Sequence, residues 1–246
     1  MSLLPSLFTM GNMFCGYACV VYSVRSEFEN AALFIGVAIV LDMLDGRIAR
    51  LTGTESEFGG ELDSLADVIS FGVAPAILAF AWGLSTLGRL GWAAGFLYVA
   101  AAALRLARFN LQGAGAGDKR YFAGMPSPPA AGITAATVFA YPFGLYDPRA
   151  ALPALAMVLV PAVLMVSRIR FRSFKTIDLR ARRSYSTLIL VAAGIMLIAT
   201  HPRGVLLATA YIYLASPFIG MAYTRLRHGK HHVPAPTPIA EEKKHA

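Results

Sequence analysis

Charge is scarce in this chain. Only 15% of its 246 residues are Asp, Glu, Lys or Arg, where a soluble domain carries about 25%. Apolar residues make up 57% and the mean hydropathy is +0.58, so polar side chains are too few to cover a folded surface in water. Cysteine is nearly absent, and two in the whole chain cannot staple a secreted scaffold of this size. The surplus of hydrocarbon excludes disorder over most of the length. Residues 1–10 lack Lys and Arg, and the apolar run that follows exceeds a signal-peptide core, so it does not read as a cleavable leader. No internal repeat and no second domain can be discerned. These absences leave a polytopic, all-α membrane protein with one domain over 1–227.

A helix needs roughly 17–25 apolar residues to span about 30 Å of hydrocarbon. Eight segments are predicted to do so: 7–24, 30–50, 62–84, 90–109, 128–146, 151–167, 185–200 and 204–224. The net charge of +8 could suggest a nucleic-acid partner, but the basic residues are sorted by side. With the N-terminus in the cytosol, 18 of the 22 fall in cytosolic segments, and only Arg25, Arg89, Arg149 and Arg203 lie outside. The positive-inside rule then places both ends in the cytosol. Attraction to anionic lipid headgroups is a second use of that charge, and nucleic acid drops out. Residues 228–246, with Pro234, Pro236 and Pro238 among charges, read as a disordered cytosolic tail. Its His228, His231 and His232 read as solvated rather than metal-binding. Cys15 and Cys19, one turn apart with no further ligand nearby, read as packing residues. Gly91 and Gly95 form a GxxxG that suits a helix contact or a dimer equally.

The acidic residues carry the most information. Of 14, four stand at the ends of apolar segments: Asp42 and Asp45, then Asp63 and Asp67. A carboxylate inside a membrane helix costs a few kcal/mol, so four together need compensation. Asp42, Asp45, Gly46 and Ala49 follow i, i+3, i+4, i+7 and share one helix face. Asp63 and Asp67 share another, and the short connection 51–60 makes the two helices antiparallel neighbours. Hard oxygen ligands with open positions suit Mg²⁺ or Mn²⁺. Gly46 and Ala49 leave room beside them, and Arg50 offers planar donors to a phosphate. Pairing with arginines for packing, or an ion-conducting pathway, would also place carboxylates on facing helices. A pathway, however, belongs nearer the bilayer midplane.

Asp42-x-x-Asp45-Gly46-x-x-Ala49-Arg50, eight residues, then Gly59-x-x-x-Asp63-x-x-x-Asp67 resembles the CDP-alcohol phosphotransferase signature at every defined position. Ile69-Ser70-Phe71-Gly72-Val73-Ala74-Pro75, Arg105-Leu106-Ala107-Arg108-Phe109-Asn110 and Phe122-Ala123-Gly124-Met125-Pro126-Ser127-Pro128 are similar to the integral-membrane CDP-diacylglycerol–serine O-phosphatidyltransferases. So is the opening Leu4-Pro5-Ser6-Leu7-Phe8-Thr9 with Asn12 and Gly16, except that many relatives carry Asn at the position of Ser6. The resemblance covers about residues 4–175.

The resemblance implies six core helices around a two-metal site, a homodimer, and transfer of a phosphatidyl group from CDP-diacylglycerol to L-serine at the cytosolic face of the cytoplasmic membrane. It implies two divalent cations, Mg or Mn, with Asp42 and Asp63 bridging both, Asp45 completing one and Asp67 the other. Asp67 would also be the general base. By position, Gly46, Arg50 and Ser56 would contact the nucleotide diphosphate, and Thr9 and Asn12 the cytidine. Arg105, Arg108 and Asn110 are candidates for binding serine, with Arg170, Arg172 and Lys175 as rivals for its carboxylate. Positive-inside anchoring explains either basic cluster without a ligand. Ser70 and a kink at Pro75 would shape the acceptor pocket. A sister enzyme using glycerol 3-phosphate, inositol phosphate or choline fits the same aspartates. So does a divalent-cation transporter, which leaves Gly46, Ala49 and Arg50 without a role.

Overall fold

The first apolar segment forms α1, Leu3–Val24, and returns at once as α2, Phe28–Thr52. The turn between them is tight because Ser26 takes a left-handed conformation (φ 60°), and the Glu27 N–H closes the helix end onto the Tyr22 carbonyl at 2.9 Å. The two helices pack along their length as an antiparallel hairpin. Cys15 and Cys19 are buried free thiols in the same core as Ala31, Ile35 and Ala38, which bears out their reading as packing residues. Small side chains here let the backbones approach closely.

This computed structural model describes residues 3–52, 56–112, 121–167, 169–172 and 185–228. After α2 come α3 (Glu57–Asp67), a π-helical turn (Val68–Val73), α4 (Ala74–Trp82), a 3₁₀ turn (Leu84–Leu87) and α5 (Arg89–Gln112). Then follow β1 (Tyr121–Ala123), α6 (Ser127–Ala140), α7 (Pro148–Val166), β2 (Arg170–Arg172), α8 (Tyr185–Thr200) and α9 (Pro202–His228). Apart from the three-residue strands β1 and β2, which pair antiparallel, the regular structure is all helical. The tail 229–246 lies outside the described residues.

Each of the eight predicted segments falls on helix. Among the described residues, four stretches are long and apolar enough to cross a membrane: Leu7–Val24, Phe58–Trp82, Arg89–Leu111 and Pro148–Val166. A fifth is obtained if α8 and α9, which meet at 118°, count as one broken span. Helix α2 falls short on composition because Asp42, Asp45, Arg47 and Arg50 occupy its last turns. The segment expected over 128–146 is helical only to Ala140. At 1.5 Å per residue its 14 residues reach about 21 Å, and Pro142 and Gly144 follow directly.

Where a kink at Pro75 is expected, the helix carries a π turn. Pro75 has no N–H to donate and its ring crowds the preceding turn, and the chain widens into the π turn just before it. There the Ala74 N–H reaches back to the Ile69 carbonyl. Ser70, Phe71 and Gly72 are buried in that turn. Gly16 of α1 lies against it so closely that a Cβ would sit 2.6 Å from Ser70 Oγ and 2.9 Å from Ser70 Cα. Gly124 closes the other side of the bundle: its φ is +82°, and a Cβ would fall 2.4 Å from the Met165 carbonyl oxygen. Gly124 and Met125 donate to Ile169 and Leu164 at 2.9 and 3.0 Å, tying the start of α6 to the end of α7. Helix α5 packs on α7, α2 on α6, and α6 on α9.

Candidate active site

Helix α3 starts where Ser56, in extended conformation, accepts a hydrogen bond from the Gly59 N–H at 3.1 Å. That N-cap and the acidic Glu57 and Glu61 in the early turns favour a helix beginning here. The start point then sets the rotation of α3, and with it the direction of Asp63 and Asp67. The last turns of α2 present Asp42 in the same direction. One carboxylate oxygen from each of Asp42, Asp63 and Asp67 lies within 4.8 Å of the others. Asp67 is 9% exposed, whereas Asp42 and Asp63 are half-buried.

Helix α1 spans this group. Thr9 and Asn12 are three residues apart on one face and both are buried. The Thr9 hydroxyl donates to the Asp45 carboxylate, and Asn12 Nδ2 donates to Asp67 Oδ1 at 3.4 Å. Ser70 Oγ, inside the π turn, donates to the Asn12 backbone carbonyl at 2.8 Å. One helix therefore orients carboxylates on both α2 and α3. Asn12 Oδ1 is buried and, among the described residues, accepts no hydrogen bond, leaving an acceptor for a ligand donor. Asp45 is 6% exposed and stands beside the three-carboxylate group, with its side chain held by Thr9.

The predicted basic cluster divides into three destinations. Arg105 interacts electrostatically with Asp67, Tyr213 and Asp42, donates to Ser127 Oγ at 3.2 Å and keeps a buried Nε with no partner among the described residues. Arg108 instead donates to the Val166 carbonyl at the end of α7, at 3.2 Å. Asn110 donates to Ser64 Oγ on α3, at 3.0 Å. Only Arg105 of the trio faces the carboxylates. Gly46 is exposed on α2, beside Asp45. The side chains of Ala49, Arg50, Arg170 and Arg172, and all of Lys175, lie outside the described residues.

Two site neighbours were not singled out from sequence. Ser127 sits in the Pro126-Ser127-Pro128 run, a signal that was present but carried no assigned role. Tyr213 gave no local signal, because α9 brings it to Arg105 from more than a hundred residues away.

Three carboxylates that converge while partly removed from water repel one another strongly unless compensated. One guanidinium does not offset three or four of them. The donor set is all hard oxygen, which suits a divalent cation of the Mg or Mn type rather than a soft metal. The residues therefore fit a metal centre, with a cationic side chain and an unpartnered amide oxygen beside it.

Comparison with known proteins agrees with this chemistry. The family model for CDP-alcohol phosphatidyltransferase matches residues 2–167. The chain is 36% identical over 213 residues to a CDP-diacylglycerol–serine O-phosphatidyltransferase of Helicobacter pylori, covering 86% of this chain and 88% of that protein. It is 35% identical over 176 residues to the Bacillus subtilis protein of the same name, 71% and 93% of the two chains. An archaetidylserine synthase of Methanothermobacter thermautotrophicus is 38% identical over 170 residues, 68% of this chain and 69% of that one.

Proposed function

The chain belongs to the CDP-alcohol phosphatidyltransferase family, and we propose that it transfers the phosphatidyl group of CDP-diacylglycerol to the hydroxyl of L-serine, giving phosphatidylserine and CMP. The observation that carries this reading is the meeting of Asp42, Asp63 and Asp67 oxygens within 4.8 Å beside Arg105. The relatives' names share serine, with both phosphatidyl and archaetidyl products, which favours serine over glycerol 3-phosphate, inositol phosphate or choline. A cation transporter would leave the Arg105 guanidinium and the Asn12 amide without a task.

Asp42, Asp45, Asp63 and Asp67 would hold two divalent cations, Mg or Mn. When bound, such ions supply charge neutralisation for the diphosphate and for the departing CMP. Asp67 takes the proton from the serine hydroxyl as that oxygen attacks the lipid-bearing phosphorus. The new P–O bond forms to serine and the old one breaks to CMP. Asn12 keeps the Asp67 carboxylate turned toward the reaction, which matters because a metal-bound carboxylate is a weak base that acts through geometry. Thr9 does the same for Asp45. Arg105 binds the serine carboxylate, a task for which a planar, always-charged donor is well suited. By their positions in the family motif, Gly46, Arg50 and Ser56 are assigned to binding the nucleotide diphosphate, Gly46 by allowing close backbone approach, and the Asn12 and Thr9 end of α1 to meeting the cytidine.

The same reading places the protein in the cytoplasmic membrane as a homodimer with eight spans. Both ends and the site face the cytosol. The test is CMP release by the purified full chain from CDP-diacylglycerol, with Mg²⁺ or Mn²⁺ and each acceptor in turn. Release only with serine supports the assignment. Release with another acceptor retains the aspartate chemistry and overturns the acceptor.

A further inference from the structure

Arg105 faces opposite charge without closing on it. It interacts electrostatically with Asp67 and Asp42, yet among the described residues no ion pair joins it to Asp67. A guanidinium and a carboxylate so placed would otherwise combine as a strong, fork-shaped pair. Such a pair would cancel the charge of Arg105 and occupy an oxygen that a divalent cation needs. Arg105 is engaged by neutral oxygens instead. Its Nη1 donates to Ser127 Oγ on α6 at 3.2 Å, and the Tyr213 phenol on α9 interacts with it electrostatically. Its Nε is buried and has no partner among the described residues, so part of the fork stays open to a ligand.

The place of Tyr213 is built into α9. Pro217, four residues on and buried, has no N–H to offer the Tyr213 carbonyl. Ser216 Oγ donates to that carbonyl instead, at 2.7 Å, as serine does where proline interrupts a membrane helix. Before this break the helix is fastened: Arg203 pairs with Glu29 at 2.9 Å and stands 5.7 Å over the Phe139 ring. Tyr211 and Thr137 share a further hydrogen bond of 3.2 Å. The Tyr213 ring packs against the bundle core and lines the same cavity as Pro129, two residues after Ser127. Arg105 is thus held between the first turn of α6 and the interrupted turn of α9.

We propose that Tyr213 is a positioning residue, which holds the Arg105 guanidinium off Asp67 and so keeps its charge available to the carboxylate of the acceptor. The inference rests on the proposed function for the identity of that acceptor. Two consequences come from one restraint: Asp67 stays free for a cation, and Arg105 stays free for a substrate anion. A neutral phenol suits the task because it engages the guanidinium without neutralising it. Helix α9 lies beyond residue 167, where the family match ends, and thereby gains a role on the acceptor side that the matched region does not supply.

The test is Tyr213→Phe in the purified full chain, alone and combined with Arg105→Ala. Phe keeps the ring that packs against the core and removes only the hydroxyl, so the fold should accept it. The first readout needs no acceptor: the Mn²⁺ concentration that gives half of the cation-dependent rise in melting temperature. With the hydroxyl gone, Arg105 turns onto Asp67 and competes with the cation. That concentration should therefore rise by about tenfold, the scale of one hydrogen bond to a charged group. In the Arg105→Ala background the same change should do nothing, because no guanidinium is left to restrain. The second readout is kinetic, at saturating Mn²⁺. The KM for serine should rise by about tenfold in Tyr213→Phe, with kcat and the KM for CDP-diacylglycerol within about twofold of the wild type. An unchanged Mn²⁺ dependence, an equal shift without Arg105, an unchanged serine KM, or a parallel rise in both KM values would overturn the proposal. CMP release by the wild type only with another acceptor would count against the proposed function, while the acceptor-free Mn²⁺ comparison still decides the role of Tyr213.

Discussion

Asn12 on α1 and Asp67 on α3, 55 residues apart, are joined side chain to side chain at 3.4 Å. The same Asn12 accepts the Ser70 hydroxyl through its backbone carbonyl at 2.8 Å. The orientation of the most buried of the three converging carboxylates is therefore tied to the first helix and to the π turn at once. Groups that orient a metal ligand from behind are worth 10–100-fold in activity or metal affinity by general experience. Asn12→Ala should lower kcat by roughly that factor while leaving the thermal midpoint little changed, because the Ser70 bond goes to the backbone. CMP release and a melting curve on the same preparation check both halves.

Asp67 and Asp63 should respond differently to loss of charge. Asp67→Asn removes the proposed base and should reduce transfer by about 10²–10⁴-fold, with CDP-diacylglycerol binding largely retained. Asp63→Asn should weaken the metal response as well as turnover. Titrating activity against Mn²⁺ separates them: an unshifted Mn²⁺ dependence in Asp63→Asn would remove that residue from the ligand set.

Metal removal should act on stability as well as on rate. A ligand that binds only the folded state stabilises it by about 2.7 kcal/mol at a hundred times its dissociation constant. EDTA should abolish CMP release and lower the melting temperature, and Mg²⁺ or Mn²⁺ should restore both. In Asp42→Asn the cation-dependent rise in melting temperature should shrink.

Arg105 and Arg108 are three residues apart yet should give opposite phenotypes. Arg105→Lys keeps the charge but loses the planar fork, and should raise the KM for serine by about tenfold, the scale of one charge-assisted hydrogen bond. Arg108→Ala removes a donor to the Val166 carbonyl and should cost about 1 kcal/mol of stability with little change in serine KM. If Arg108→Ala raised the serine KM as strongly, both arginines would belong to the acceptor site.

Gly16→Leu should be the most damaging change outside the carboxylates. Even a Cβ there would lie under 3 Å from the Ser70 backbone and side chain, and overpacking costs typically 1–3 kcal/mol. Because Ser70 holds Asn12, activity should fall further than stability alone accounts for. Melting temperature and kcat measured together check this.

Much of this was legible in the sequence, for identifiable reasons. The i, i+3 and i, i+4 spacings of the aspartates, with a short connection between them, already determine that two helices meet carboxylate to carboxylate. The apolar runs locate the helices, though not their ends: α6 stops at Ala140, where the continuing apolar run hides a chain reversal through Pro142 and Gly144. Pro75 announces a break, but its π form depends on how the freed carbonyls are satisfied. The separate destinations of Arg105, Arg108 and Asn110 were not legible, because all three sit on one cytosolic helix end and differ only in what packs opposite. Tyr213 was out of reach for a related reason: the packing of α9 on α6, fixed by Arg203, Phe139 and Tyr211, is a tertiary fact without a local motif.

The most direct measurement follows isotopically labelled L-serine into lipid. The purified full chain is given CDP-diacylglycerol and Mn²⁺, with CMP and labelled phosphatidylserine counted in the same reaction and again in Asp67→Asn. The account predicts one labelled phosphatidylserine for each CMP released by the wild type, with both lost in the variant. CMP released without label in the lipid, or undiminished transfer by Asp67→Asn, would contradict it.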